Sequence, residues 1–120
     1  MKNKYVPFGA SVAESASIVI DFQYYKDSKC EIKKFLKAGE VRKILKFIME
    51  VGKCMDNDEL HEYLKGSNVQ DMSDDSYYQS LSPSKEMKIY EVWHDRHVAE
   101  RIFFTRAGNV FYPVVFLYSH

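Results

Sequence analysis

The chain has 120 residues, enough for one domain with a core of its own and no need of staples. Its formal net charge is zero, so no basic field covers the whole protein to draw in nucleic acid. Two cysteines are too few for a disulfide framework, the start has Lys2 and Lys4 but no apolar signal region, and no apolar run could span a bilayer.

The expectation from these bounds is a soluble, cytoplasmic protein with reduced thiols at Cys30 and Cys54. Nine Tyr and eight Phe are many for this length. Aromatics favour strands and cores, and some can stack on bases. The charge is also segregated. Lys26 to Lys53 holds nine Lys and Arg against four acids, whereas Asp56 to Asp75 holds seven acids against one Lys. Such a division gives either two solvated faces of opposite sign or a basic surface for RNA or an acidic partner.

In chain order, residues 1–16 are weakly patterned and broken by Pro7 and Gly9, which predicts an N-terminal arm ahead of a domain spanning 17–120. Ser17–Tyr25 (SIVIDFQYY) is β-branched and aromatic. Ile18, Ile20 and Phe22 alternate with Val19, Asp21 and Gln23, predicting a strand with one buried face. Asp27 or Ser28 can cap a helix over Lys29–Lys37 that Gly39 stops. A second helix is predicted over Glu40–Cys54, with Val41, Ile44, Leu45, Ile48 and Met49 at helical spacing. Together these make a helical hairpin with a basic outer surface. Asp58–Leu64 reads as a short third helix. Ser67–Lys85, rich in Ser and Asp, reads as a loop in which Tyr77, Tyr78 and Leu81 anchor the middle.

Three apolar stretches follow: Met87–Trp93, Val98–Arg106 and Val110–Ser119. Ala107–Gly108–Asn109 is a hairpin signal between the last two. The predicted class is α+β: an N-terminal strand, a helical hairpin and an antiparallel three-stranded meander. Pro113 lies in the last strand, which implies an edge, a bulge or a ladder position needing no N–H.

Motifs for metals, phosphate loops and nucleophile elbows are absent: there is no finger-spaced cysteine pair, no HExxH and no GxSxG. No cofactor is expected. His61 beside Glu62 reads as a solvated surface pair. Polar residues gather instead around the meander. His94, Asp95, Arg96 and His97 fill its first turn, Glu91 lies on its first strand, and Glu100, Arg101 and Arg106 lie on its second. Alternation places Arg101, Phe103 and Thr105 on one face and Ile102 and Phe104 on the other. A mid-strand Arg needs a partner or a cleft. It either pairs with Glu91 or Glu100 on an exposed face or serves chemistry. Cleaving RNA through the 2′-hydroxyl needs a base, an acid and cations, which His, Glu, Arg, Lys and Tyr can supply without a metal.

Ile89–Trp93 (IYEVW), Glu100–Phe104 (ERIFF) and Val114–His120 (VVFLYSH), with SIVIDF and EIKKFL earlier in the chain, resemble the RelE/HigB/YoeB superfamily of toxin ribonucleases. The resemblance implies a compact sheet with helices on one face. It also implies cleavage of mRNA in the ribosomal A site and a cognate antitoxin that masks the site. No membrane partner is implied, and no DNA binding by the chain itself. Arg101 matches the family's catalytic Arg, and Tyr118 or His120 falls where YoeB-type members carry terminal Tyr and His. Glu91 joins them as a catalytic candidate. Lys85, Lys88, Arg96, His97 and Arg106 are the candidates for RNA contact. The chain departs from the pattern at Trp93, where relatives carry Arg, and at Glu100, where they carry an aromatic. It also lacks the basic tail and the net positive charge. These departures keep two rivals open: a non-catalytic interaction module, and an RNA-binding protein without catalysis.

Overall fold

A computed structural model describes residues 17–95 and 97–118. The predicted arm 1–16 and the candidates Arg96 and His120 lie outside the described residues. The described chain is α+β, with a five-stranded mixed sheet and four α-helices. The elements are β1 (Val19–Ile20), α1 (Ile32–Ala38), α2 (Val41–Lys53), α3 (Asn57–Lys65), β2 (Gln70–Asp71), α4 (Ser76–Gln79), β3 (Tyr90–Val92), β4 (Glu100–Ala107) and β5 (Val110–Tyr118). The sheet order is β1-β5-β4-β3-β2, with β1 parallel to β5 and the remaining pairs antiparallel. None of the described helices is long and apolar enough to cross a membrane.

The meander forms as predicted. Ala107 pairs with Val110 across the two-residue turn Gly108–Asn109. Gly108 has φ +59°, a left-handed conformation that glycine takes without a Cβ clash and that fits the first central position of a II′ turn. Asn109 secures β1 by donating from Nδ2 to the Ser17 carbonyl at 2.9 Å and accepting from Val19 N–H at 2.9 Å. Pro113 resolves as a bulge. Phe103 pairs with Val115 but Phe104 pairs with Pro113, so Val114 is the extra residue. The Val114 carbonyl accepts from Lys26 N–H at 2.7 Å, so the bulge serves the incoming chain.

The first predicted strand is shorter than its pattern. The Asp21 carboxylate accepts from Gln23 N–H at 2.8 Å, and Tyr25 N–H returns to the Phe22 carbonyl at 2.9 Å. This local turn competes with the ladder, ends β1 at Ile20 and leaves Phe22 exposed. The next helix also starts late. Asp27–Lys29 is a 3-10 turn, and Asp27 caps no α-helix. The reason is tertiary: Lys26 and Glu31 N–H groups donate to Val114 and Phe116 carbonyls of β5, and the Glu31 carboxylate accepts from Tyr118 N–H at 2.8 Å. Residues 26–31 are therefore held to the strand until α1 begins. Gly39, at φ +75°, ends α1 as predicted.

In α2 the buried stripe is Ile44, Phe47 and Val51. Leu45 and Met49, predicted as part of the apolar face, are instead exposed at 57% and 59%. α3 opens on Asp56, whose carboxylate accepts from Glu59 N–H at 2.9 Å, while Glu59 accepts from Met55 N–H at 2.7 Å. The predicted 67–85 loop contains two elements, β2 and α4. Asp75 caps α4 by accepting from Tyr77 and Tyr78 N–H groups.

Two cores result, one on each face of the sheet. Phe35, Ile44, Phe47, Val51, Leu60 and Leu64 from α1–α3 bury Val92, Ile102, Phe104, Phe111 and Phe116 on one face. On the other face Leu81, Ile89, Phe103, Val114 and Val115 pack together, with Met72, Tyr78 and Leu117 at the margin. The face away from α1–α3 is thus covered by the segment from Met72 to Leu81.

Candidate functional site

β3 and β4 bring Glu91 and Arg101 to the same face. Glu91 pairs with Phe103, two residues along β4 from Arg101, so the pleat directs all three to one side. Glu91 is 3% exposed and Arg101 is 4% exposed. Arg101 Nε stands 3.5 Å from Glu91 Oε1. Of the two partners left open for Arg101, Glu91 is the one it meets, but the face is not exposed as expected: the segment from Met72 to Leu81 packs over it and the pair is buried. Glu100 points to the other face and meets Lys43 at 2.9 Å.

The rest of the guanidinium is committed to the backbone. Its terminal nitrogens donate to the carbonyls of Asp95, Val98 and Glu100. Arg101 therefore ties the strand to both sides of the turn that carries His94 and His97. An Arg fork suits this task because its donors are fixed in one plane.

His94 completes the cluster through Nδ1, which is hydrogen-bonded to Glu91 Oε1. Facing an ionised carboxylate, which only accepts, a neutral ring would donate from Nδ1 and keep its lone pair on Nε2. The His94 side chain is 48% exposed, whereas Glu91 beneath it is closed off. Strict alternation would put His94 on the face opposite Glu91. Trp93 breaks that alternation with φ +62°, a conformation that costs a bulky residue about 1–3 kcal/mol. Packing holds it there. The indole meets Phe47 at 5.6 Å, Lys43 Nζ lies 4.4 Å from the ring centroid, and Trp93 N–H donates to the Ser67 carbonyl at 3.0 Å. Asn68, at φ 52°, clamps the next residue, accepting from His94 N–H at 2.9 Å and donating Nδ2 to the His94 carbonyl at 2.7 Å.

Tyr78 of α4 closes one side of the cluster, stacked on Phe103 at 4.9 Å and 15°. Burial raises its hydroxyl pKa above the ordinary 10.0, and the Glu91 carboxylate adds to the rise while Arg101 opposes it. Burial also raises Tyr63 and, further, Tyr25. A raised pKa stabilises the fold below the unfolded value and is lost as pH climbs through the folded value. Stability is therefore expected to fall above about pH 10. Absorbance titration at 295 nm should show a late-titrating class of tyrosines that merges with the ordinary class in denaturant. A single class in the native protein would contradict the burial of these three hydroxyls.

The other expected site residues do not converge here. Tyr118 was expected beside Arg101 but lies on the opposite face, since it pairs with Glu100, and it packs edge-on against Phe35 at 5.1 Å. Arg106 also points to the α1–α3 side, where it donates to Asn57 Oδ1 at 2.7 Å. It sits five residues along β4 from Arg101, about 17 Å at strand rise. Lys88, 3.6 Å from Asp71, precedes β3 at that same far end, its carbonyl accepting from Thr105. Lys85 is exposed in the preceding loop. Of the RNA-contact candidates that are described, only His97 shares the turn with His94. His94 itself stands outside the expected catalytic and RNA-contact sets, although the sequence leaves the base open among Glu91, His94, His97 and His120 and its spacing of three from Glu91 is visible. Tyr78 carried no signal beyond being an aromatic anchor.

This cluster provides a half-exposed imidazole oriented by a buried carboxylate, in a turn clamped by a buried guanidinium. Such an arrangement presents a ring nitrogen, held in place through its other nitrogen, to a group that needs a proton moved. Among the described residues, no three His, Cys, Asp or Glu side chains converge as a metal-binding group. No family model matches the chain, and no curated protein or solved structure shows significant similarity to it.

Proposed function

We propose that this protein is a metal-independent endoribonuclease of the RelE/HigB/YoeB kind, the toxin of a type II toxin–antitoxin pair that cuts mRNA on the ribosome in the cytoplasm. The observation that carries the reading is the Glu91–His94 pair at one end of the three-stranded meander. In this reading His94 Nε2 takes the proton of the substrate 2′-hydroxyl. The 2′-oxygen attacks phosphorus, and the bond to the 5′-oxygen breaks. The departing 5′-oxygen takes a proton from a second group, for which His97 in the same turn is the candidate, leaving a 2′,3′-cyclic phosphate and a 5′-hydroxyl. Glu91 and Arg101 act as positioning residues, because both are buried and engaged with the protein.

A specific observation favours the second reading, a non-catalytic interaction module. α2 exposes Leu45 and Met49 along a groove of about 730 Å³ that Arg42, Lys43 and Lys46 line, with Glu40 and Glu50 at its ends. An acidic apolar segment fits such a surface. In the first reading this is a face on which the antitoxin can dock.

The deciding experiment maps 3′ ends of a defined mRNA in a purified translation system, with and without ribosomes. Ribosome-dependent cuts ending in a cyclic phosphate are the expected result. Absence of cuts in every condition would overturn the nuclease reading and leave the interaction module.

A further inference from the structure

A second site lies on the other face of the sheet, in a cleft of about 440 Å³ between α3 and the strands β3 and β4, which line it with Tyr90 and Phe104. That volume is in the ordinary range for small-ligand sites, about 300–1,000 Å³. One wall is the end of an aromatic column. Phe111 stacks on Phe104 at 4.4 Å and 23°, and Phe104 on Tyr90 at 5.3 Å and 24°. Phe104 and Phe111 are buried, whereas Tyr90 is half-buried and lines the cleft. The ladder position beyond Tyr90 belongs to Asp71 of β2, so a flat ring would meet Tyr90 from the cleft, and stacked or tilted rings are favoured at such spacings. Leu64 supplies apolar surface alongside.

The α3 wall is polar. His61 and Lys65 are four residues apart, hence neighbours on one helical face, and both line the cleft. Lys65 meets Glu62 only through an exposed contact of 3.7 Å. Contacts of that kind hold a lysine weakly, so the ammonium can turn to an anion. Asn68 also lines the cleft while both of its hydrogen bonds run to the His94 backbone. A flat ring flanked by hydrogen-bonding and cationic side chains has the chemistry of a nucleotide, with its base on Tyr90 and its phosphate toward Lys65 and His61.

We propose that the α3–β3 cleft binds a nucleotide by stacking its base on Tyr90 and holding its phosphate at Lys65 and His61. The site stands apart from the cleavage reading, since it needs no reaction at His94. The same chemistry could come from a free mononucleotide or from an unpaired residue of RNA.

The test is a titration of the full chain followed by amide NMR. The probes are adenosine and uridine 5′-monophosphates, the two nucleosides, ribose 5-phosphate, and an unstructured RNA pentamer. The expected result is saturable shifts at Lys65, Asn68 and Tyr90, with nucleotides binding about tenfold tighter than nucleosides. Lys65→Ala and His61→Ala change exposed side chains. They should remove that preference and leave nucleoside binding intact, whereas Tyr90→Leu should weaken both. His94→Ala should leave binding unchanged. A pentamer that saturates the same amides more tightly than the monomers identifies RNA as the source, and the reverse order identifies the free nucleotide. No shifts at these amides with any probe would overturn the proposal. So would ribose 5-phosphate binding as tightly as the nucleotides, or a nucleotide preference that survives in Lys65→Ala.

Discussion

Replacing Arg101 with alanine is expected to destabilise the fold by about 3–5 kcal/mol, the range for breaking a buried ion pair from one side. Three losses combine. The Glu91 carboxylate, 3% exposed, loses its cationic neighbour. The carbonyls of Asp95 and Val98 lose their donors, and the turn between β3 and β4 loses the clamp that joins its two sides. Arg101→Lys should recover only part of this, since a single ammonium cannot reach the several acceptors of the fork. The double variant Glu91→Leu/Arg101→Met should recover most of it, because removing both charges together leaves neither stranded. Denaturant unfolding of the four proteins checks the set. A loss below about 1 kcal/mol in Arg101→Ala would mean that the pair behaves like a surface salt bridge, in conflict with its burial.

His94→Ala should behave in the opposite way. The ring is about half exposed, and the backbone contacts of His94 with Asn68 do not use the side chain. The fold is expected to survive with little change in unfolding midpoint. Under the proposed function, cleavage should drop by about 10²–10⁴-fold, the usual contribution of a positioned proton-transfer group. The pair of variants separates two roles that an activity assay alone would confuse. Arg101→Ala loses activity together with structure, whereas His94→Ala loses it from a folded protein. Cutting at the wild-type rate by a folded His94→Ala protein would remove His94 from the chemistry. Glu91→Gln adds a finer reading: the amide can still accept from Nδ1–H but carries no charge, so it should reduce the rate while sparing the orientation of the ring.

The long elements were legible because each has a period that only one geometry satisfies. α2 and the strands β4 and β5 carry runs long enough for spacing to decide, and Gly39 and Gly108 mark turns that glycine accepts most easily. Alternation also placed Arg101 on the Phe103 face correctly. Yet the exposed face expected for an Arg101 ion pair is in fact buried. The segment from Met72 to Leu81 settles this by packing over it, and the same short apolar residues read as loop because β2 and α4 are too brief to show a period. Direction was equally hidden on α2. Leu45 and Met49 fit the apolar count, but the sheet lies on the side of Ile44, Phe47 and Val51.

The chain by itself therefore determined an α+β domain, its antiparallel meander, the hairpin at Gly108 and the presence of a turn rich in His, Asp and Arg between strands that carry Glu91 and Glu100. These follow from local preference and from periodicity, which each segment carries with it. Tertiary structure decided which of those polar residues meet. The strand β5 delayed α1 by taking the hydrogen bonds of Lys26 and Glu31. Pleating sent Tyr118 away from Arg101. Phe47, Lys43 and Ser67 held Trp93 in a left-handed conformation that turns His94 back to Glu91. No residue type announces such a conformation in a tryptophan, because its cost is met by contacts from segments 26 to 50 residues away in the chain.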